Sequence, residues 1–468
     1  MNGLFLLAYL SVQVLIGLWI SKKIHSENDY FLGGRKLPLL MVALSLFATW
    51  FGAETCIGSS AAVYQSGLWG SRAEPFGYTL CLLLMGLLLA ARLRQGKYVT
   101  LADYYRERYG PFIEKFAIVV LVPSSLIWAA AQLRAFGQVI AATTTMHVTL
   151  AITLSAAFVL LYTYLGGLLG DIYTDLIQGA IVAVGLILLL AIVLGDFSGI
   201  REVFASMDPS RLSFIAPNES ILERMDRWMV PVLGSLVAQE AISRLLAARS
   251  VSIARNASFV ACGVYFALGA IPVFLGLAGP SLLPAVADPE QFLVKLAGNY
   301  LPPALFIVFA GALISAILAT IDSILLAISA LCSHNIIVPA FRIKSESGRI
   351  LSARIVVLSA GGAAYVIALY AKGVYHLVVT ASAFGTAGVL VITLLGFYTK
   401  IRSQAAAATA LIAGLVLTVL GEYVLHFKAP FITAVLGSGG IFFISAVLEK
   451  KISSIPGWWL SFSERKNR

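Results

Sequence analysis

Charged side chains are scarce in this chain, 12% of 468 residues, about half of what an ordinary soluble protein carries. That scarcity excludes a soluble globular protein, because the matching apolar surface would have no solvent to turn toward. Cysteine is equally sparse. The four (Cys56, Cys81, Cys262, Cys332) lie singly in apolar stretches without CxxC spacing, which argues against a disulfide framework or a thiolate metal site. The five histidines (His25, His147, His334, His376, His426) all fall in loops or at the ends of apolar segments. None is placed to activate a buried nucleophile, so Ser-His chemistry has no machinery and no enzyme is expected.

What the chain has instead is hydrophobicity, 59% of its residues. About thirteen apolar segments follow one another, each near the roughly 20 residues that a spanning helix needs. They are Leu4–Ile20, Pro38–Ser66, Pro75–Ala91, Ile113–Ala142, Val148–Leu165, Ile172–Val193, Trp228–Leu246, Ala257–Ala278, Ala304–Cys332, Ile355–Ala371, Leu377–Tyr398, Ala405–Tyr423 and Phe431–Leu448. The first lacks a basic leader and is followed directly by Lys22 and Lys23, so it reads as a span and not as a signal peptide. With the N-terminus outside and the C-terminus cytoplasmic, 24 of the 33 Lys and Arg fall in inner loops and the tail, against 8 outside. That excess supports both the helix count and the orientation. The net charge of +10 is dispersed over short loops, so it forms no nucleic-acid face. The expectation is an all-α polytopic protein, a single membrane domain over residues 1–468. It would sit in a plasma membrane (the inner membrane of a bacterium), in contact with lipid and with no obligate protein partner evident.

Two segments depart from plain apolar helices. Pro38–Ser66 carries Ala48-Thr49-Trp50-Phe51-Gly52-Ala53-Glu54 and then Gly58, Ser59 and Ser60. Small residues and a carboxylate at that depth suggest an unwound helix, tolerated only where it lines a protein cavity. The second half of Ala304–Cys332 holds Ser315, Thr320, Asp322, Ser323 and Ser329. Ala316, Ala319, Thr320 and Ser323 fall on one stripe about 100° wide, which Asp322 flanks. A broken helix facing hydroxyls is a common ion-holding arrangement in secondary transporters. Asp175 and Asp322 read as ion-site carboxylates, with a helix cap as the bland alternative for Asp175. Thr320 is read as an ion ligand or as bonded back to the carbonyl of Ala316. Trp50 and Trp128 are read as packing aromatics or as substrate contacts. Of the remaining mid-membrane charges, Arg134 and Glu54 either recognise a charged substrate group or, for Arg134, pair with a carboxylate; Glu240 stands near the end of the seventh segment.

Several strings then resemble the sodium:solute symporter family over about 400 residues. They are Asp29-Tyr30-Phe31-Leu32-Gly33-Gly34-Arg35, Leu44–Trp50, Tyr173–Gln178, Gln239 with Arg244–Arg249, and Ala316–Ser323. The resemblance implies a LeuT-like core of ten helices in two inverted five-helix repeats with broken first helices. These would cover residues 38–193 and 228–398, with 405–448 as extra C-terminal helices. It also implies one sodium held by main-chain carbonyls of Ala48, Phe51 and Ala316 and by hydroxyls at 319 and 320. Thr320 supplies one of these, but Ala319 departs from the pattern and has no side-chain oxygen. A second ion, sodium or proton, is implied at Asp175, Asp322 and Ser323. Within the family the chain is most similar to the high-affinity choline transporter branch, through Ala48–Trp50, Pro75–Tyr78, Lys97–Thr100 and Trp128–Ala131. That likeness implies a cationic-solute cage at Trp50, Tyr78 and Trp128, with Ala238 and Val378 where the branch has two more tryptophans. The function expected is sodium-coupled symport of a small organic solute (an amine, betaine or amino acid) by alternating access, with Na+ or H+ as coupling ion and no organic cofactor. Proton-coupled symport and a transporter-like sensor are the alternatives.

Overall fold

A computed structural model describes residues 25–144, 146–196, 201, 207–371 and 373–453. The first apolar stretch, Leu4–Ile20, and most of the C-terminal tail lie outside these residues, so thirteen spans are not all accounted for. Within them the chain is helical, with eight helices long and apolar enough to cross a membrane and three bent pairs. In chain order the elements are α1 (Leu39–Trp50), α2 (Glu54–Ser66), α3 (Ala73–Gln95), α4 (Pro111–Thr143), α5 (Val148–Asp196), α6 (Ile221–Val237) and α7 (Gln239–Ala247). They continue as α8 (Val251–Leu282), α9 (Pro303–Ala340), α10 (Glu346–Tyr370), α11 (Val374–Ala383), α12 (Thr386–Tyr398), α13 (Gln404–Val424) and α14 (Pro430–Lys451).

Helix starts follow local chemistry. Ser220 with Glu223 closes a capping box on α6, Ser250 caps α8, Ser345 caps α10 and Ser403 caps α13. Each satisfies amide groups that the first turn leaves without partners. The expected break in Pro38–Ser66 is present: α1 and α2 meet at 54° around Phe51–Ala53. The second broken helix, implied by the resemblance at the start of the 228–398 repeat, is present too, and a further break in 377–398 went unforeseen. Segment 228–246 is α6 and α7, bent by 47° where Ala238 takes an extended ψ of 115°. Segment 377–398 is α11 and α12, bent by 44°, and Gly385 supplies the left-handed φ of 71° that turns the chain there. A second difference concerns the loop expected near residues 166–171. The backbone is instead assigned as helical through all 49 residues of α5, within which Asp171–Asp196 is long and apolar enough to cross a membrane and Val148–Leu161 is a shorter apolar stretch.

At the centre lies α9. Every residue from Phe309 to Ser329 is buried, as an all-round apolar helix must be when neighbours surround it. It packs against α4, α5 and α10. The start of α1 is tied to the end of α7 by main chain alone: Leu37 N–H donates to Ala247 O (3.3 Å) and Arg249 N–H to Leu37 O (3.0 Å).

Near that same end, the short helix Glu27–Leu32 is anchored by Glu27. Its carboxylate meets His334 Nδ1 at 2.8 Å and Arg349 Nη1 at 3.1 Å. Burial would raise this carboxyl's pKa, but the contacts to His334 and Arg349 outweigh burial and hold it below its ordinary 4.5. A depressed folded-state value contributes stability above pH 4.5 that is lost as pH falls through it. Wild-type protein is therefore expected to lose stability on acidification below about pH 4.5, and Glu27→Gln to lose less over the same range. Unfolding midpoints of the two proteins measured across pH 3–6 check this; parallel pH profiles would count against it.

Candidate ion and solute site

The break between α1 and α2 brings three aromatic rings together. Trp50 stacks on Trp128 at 6.1 Å and 24°, and Tyr78 lies 5.7 Å from Trp50 and 5.9 Å from Trp128. All three are buried, so the rings read from sequence as a cage lie together, packed on one another. Each indole N–H is held by a carboxylate. Trp50 Nε1 donates to Glu240 Oε1 at 3.2 Å, and Trp128 Nε1 donates to Glu54 Oε1 at 2.9 Å. A third buried carboxylate, Glu74, accepts from Tyr265 at 2.7 Å. Among the described residues none of Glu54, Glu74 and Glu240 has a basic group within ion-pair distance. Beside the cage, Ser235, Ala238, Glu240, Ser382 and Thr386 line a cavity of about 20 Å3. Tyr78 and Ser382 share a hydrogen bond of 2.8 Å.

One turn away, Thr320 Oγ1 lies 3.4 Å from Ala48 O and 3.2 Å from Ala316 O. Three of the oxygens implied for the first ion thus converge where α1 crosses α9, with Phe51 at the break itself. Ala319 is buried beside them and brings only a methyl group; its carbonyl accepts from Ser323 Oγ at 2.6 Å.

The residues implied for the second ion converge on something unforeseen. Arg244, counted by the sequence reading among loop charges, is fully buried. Its guanidinium donates to Asp171 and to Ser323, approaches Asp175 Oδ2 at 3.6 Å and donates to Ser45 Oγ at 3.3 Å. Ser45 donates in turn to Asp175 at 2.6 Å. Asp322, fully buried nearby, accepts from Thr163. A tethered cation therefore occupies the space between Asp171, Asp175 and Ser323. Of the two readings of Arg134, the geometry matches pairing with a carboxylate: Arg134 Nε lies 3.3 Å from Glu290 Oε2. Sequence reasoning missed Asp171, Gln132 and Glu74. Asp171 lies four residues before Asp175 and hence on the same helix face, a signal that was there to be read.

A model of the sodium:solute symporter family matches residues 30–414. The chain belongs to that family. Its relatives include the human high affinity choline transporter 1, 27% identical over 388 residues, 78% of this chain and 67% of the relative. The osmoregulated proline transporter of Bacillus subtilis is 25% identical over 429 residues, covering 87% and 85%. Among solved structures, a sodium-coupled sialic acid symporter in a substrate-bound outward-open state superposes with a TM-score of 0.82 at 19% identity, over 96% of this chain and 97% of that one. A nucleobase-cation-symport-1 family transporter in a closed conformation gives 0.60 at 16%, over 90% and 95%. As a sodium:solute symporter, the protein is a multi-pass membrane transporter and not an enzyme, with a LeuT-like helical fold.

Proposed function

We propose that this symporter takes up a small, positively charged amine, driven by sodium. The observation that supports this most directly is the Glu240 carboxylate on the rim of the aromatic cage. Buried carboxylates without a basic partner are costly, and a cationic solute would supply the missing charge while its apolar groups meet the ring faces. An anionic solute would meet repulsion. The human relative described above is a choline transporter, and choline is a quaternary ammonium cation. In this chain Ala238 and the hydroxyls of Ser235, Ser382 and Thr386 line the neighbouring cavity, which has room for about one water and offers acceptors to the N–H groups of an amine once the site opens.

Alternating access follows from the burial of the cage rings. A cavity of about 440 Å3, lined by Trp69, Arg72, Asp226, Tyr375 and Phe431 among others, is the proposed outer vestibule, in the orientation with the C-terminus cytoplasmic. The breaks in α1/α2 and α6/α7 support residues 38–193 and 228–398 as the two inverted repeats, with 405–448 added. A potential of 100 mV gives about 2.3 kcal/mol per charge. With ~1.4 kcal/mol from a tenfold sodium gradient, one ion drives roughly 500-fold accumulation, and a cationic solute adds its own response to the potential. One ion therefore suffices, which agrees with Arg244 filling the second position. Proton coupling remains the second reading, since three carboxylates (Asp171, Asp175, Asp322) surround that single guanidinium.

In proteoliposomes with an inward sodium gradient, a small amine is expected to accumulate. Glu240→Gln is expected to raise its KM at least about tenfold, the loss of one charged hydrogen bond. Accumulation of a sugar or an anion with no amine taken up would sink the reading.

A further inference from the structure

The sodium ligand that Ala319 lacks is replaced, we infer, by Glu54 and Gln132, which build a carboxylate-containing ion site against the bare Cα of Gly52. This rests on the sodium-coupled reading above and identifies the ligands that reading leaves incomplete.

The geometry starts at the break. Gly52 stands between α1 and α2, and the place a Cβ would take there is ringed by three side-chain oxygens from three other positions. They are Thr320 Oγ1, Gln132 Oε1 at 2.7 Å and Glu54 Oε2 at 2.9 Å. A methyl group would collide with all three, so the glycine lets these three oxygens close in together beside the backbone. Such a cluster of carboxylate, amide carbonyl and hydroxyl oxygens suits a hard cation. Thr320 Oγ1 also touches Ala48 O and Ala316 O, so main-chain carbonyls adjoin the same point. Three side-chain oxygens thus meet, one of them charged, and two main-chain carbonyls flank the hydroxyl among them.

The orientation of the amide is determined by its partners. Gln132 Oε1 accepts from Ala53 N–H at 3.0 Å, and its Nε2 donates to Glu54 Oε2 at 2.6 Å. The carbonyl end therefore faces the point and cannot be exchanged with the NH2 end without losing both bonds. Glu54, Gln132 and Thr320 are each fully buried, where a carboxylate without a cation is costly. The carboxylate also links two events. Its Oε2 faces the ion, while its Oε1 accepts from the Trp128 indole of the cage. An ion bound on one side and a solute on the other share one charged group, which makes each sensitive to the other.

The test is a sodium titration of the full-length protein in detergent, against potassium at equal ionic strength, read by unfolding midpoint and tryptophan fluorescence. Wild type should respond to sodium. Glu54→Gln should raise the half-saturating sodium at least tenfold, and Glu54→Gln with Ala319→Ser should recover to within about threefold of wild type, since serine restores the hydroxyl. An unchanged titration in Glu54→Gln overturns the inference, as does a loss that Ala319→Ser fails to recover. Should Glu54→Gln not fold, Ala319→Ser alone decides: tighter sodium binding supports a shared ion position, and an unchanged titration overturns it. A wild type that responds alike to sodium and potassium would instead remove sodium coupling itself, an outcome distinct from the others.

Discussion

Arg244→Met is expected to destabilise the protein by about 3–5 kcal/mol, the cost of removing one partner from a buried ion pair. Methionine fills similar volume, so the effect is one of charge and not of packing. The guanidinium serves Asp171 on α5, Ser45 on α1, Ser323 on α9 and, at 3.6 Å, Asp175. Without it two buried carboxylates lose their nearest counter-charge. The cluster has little to fall back on, since Asp171 Oδ1 and Asp175 Oδ1 already lack hydrogen-bond partners among the described residues. Lysine would be a poor substitute, because one ammonium cannot reproduce a fork that reaches three helices. The measurement is thermal or denaturant unfolding in detergent. Adding Asp171→Asn to Arg244→Met should recover part of the loss, a coupling visible in a double-mutant cycle. If Arg244→Met unfolds within about 1 kcal/mol of wild type, the guanidinium is not the counter-charge of the cluster.

The second large effect is expected from Gly414→Leu. A Cβ on Gly414 would stand 2.5 Å from Gly388 Cα and 2.9 Å from Ser438 Oγ, and one on Gly388 would stand 2.8 Å from Ala410 O. The backbones of α12 and α13 therefore touch, as small residues allow in membranes where no hydrophobic effect drives helices together. A leucine there has to push backbone and not a flexible side chain. Overpacking costs typically 1–3 kcal/mol, and with backbone opposite, about 3 kcal/mol is expected. Ile412, on the same helix but 50% exposed, supplies the control: Ile412→Ala should stay within about 0.5 kcal/mol. Equal unfolding midpoints for the two variants would show that α13 is loosely held.

How much of this could be read in advance depends on range. Hydropathy placed the described spans, and the glycine and carboxylate in Ala48–Glu54 marked the break between α1 and α2. The meeting of Trp50, Tyr78 and Trp128, and of Thr320 with Ala48 and Ala316, agrees with the resemblance to the family. The break at Ala238 came only with the resemblance, since no proline or run of turn residues marks that position, and the break at Phe384 was hidden because Gly385 alone is a weak turn signal. Arg244 was misplaced for a related reason. It stands at the end of an apolar segment, next to Leu245–Arg249, where a charge in sequence looks solvated. Only the approach of α1, α5 and α9 buries it. Gln132 was passed over as an uncharged residue on an apolar helix, and nothing local shows that its amide meets Glu54 and Ala53.

The main-chain tie between Leu37 and the end of α7 has a consequence for how the two broken spans inherit change. Because peptide groups make it, substitutions at Leu37, Ala247 or Ala248 alter its packing yet leave its donors and acceptors in place. It is robust to drift at every position except one kind, proline at 37 or 249, which deletes an N–H. The two spans are thereby yoked at one end by atoms common to nearly every amino acid, while their opposite halves are free to diversify around whatever solute they meet.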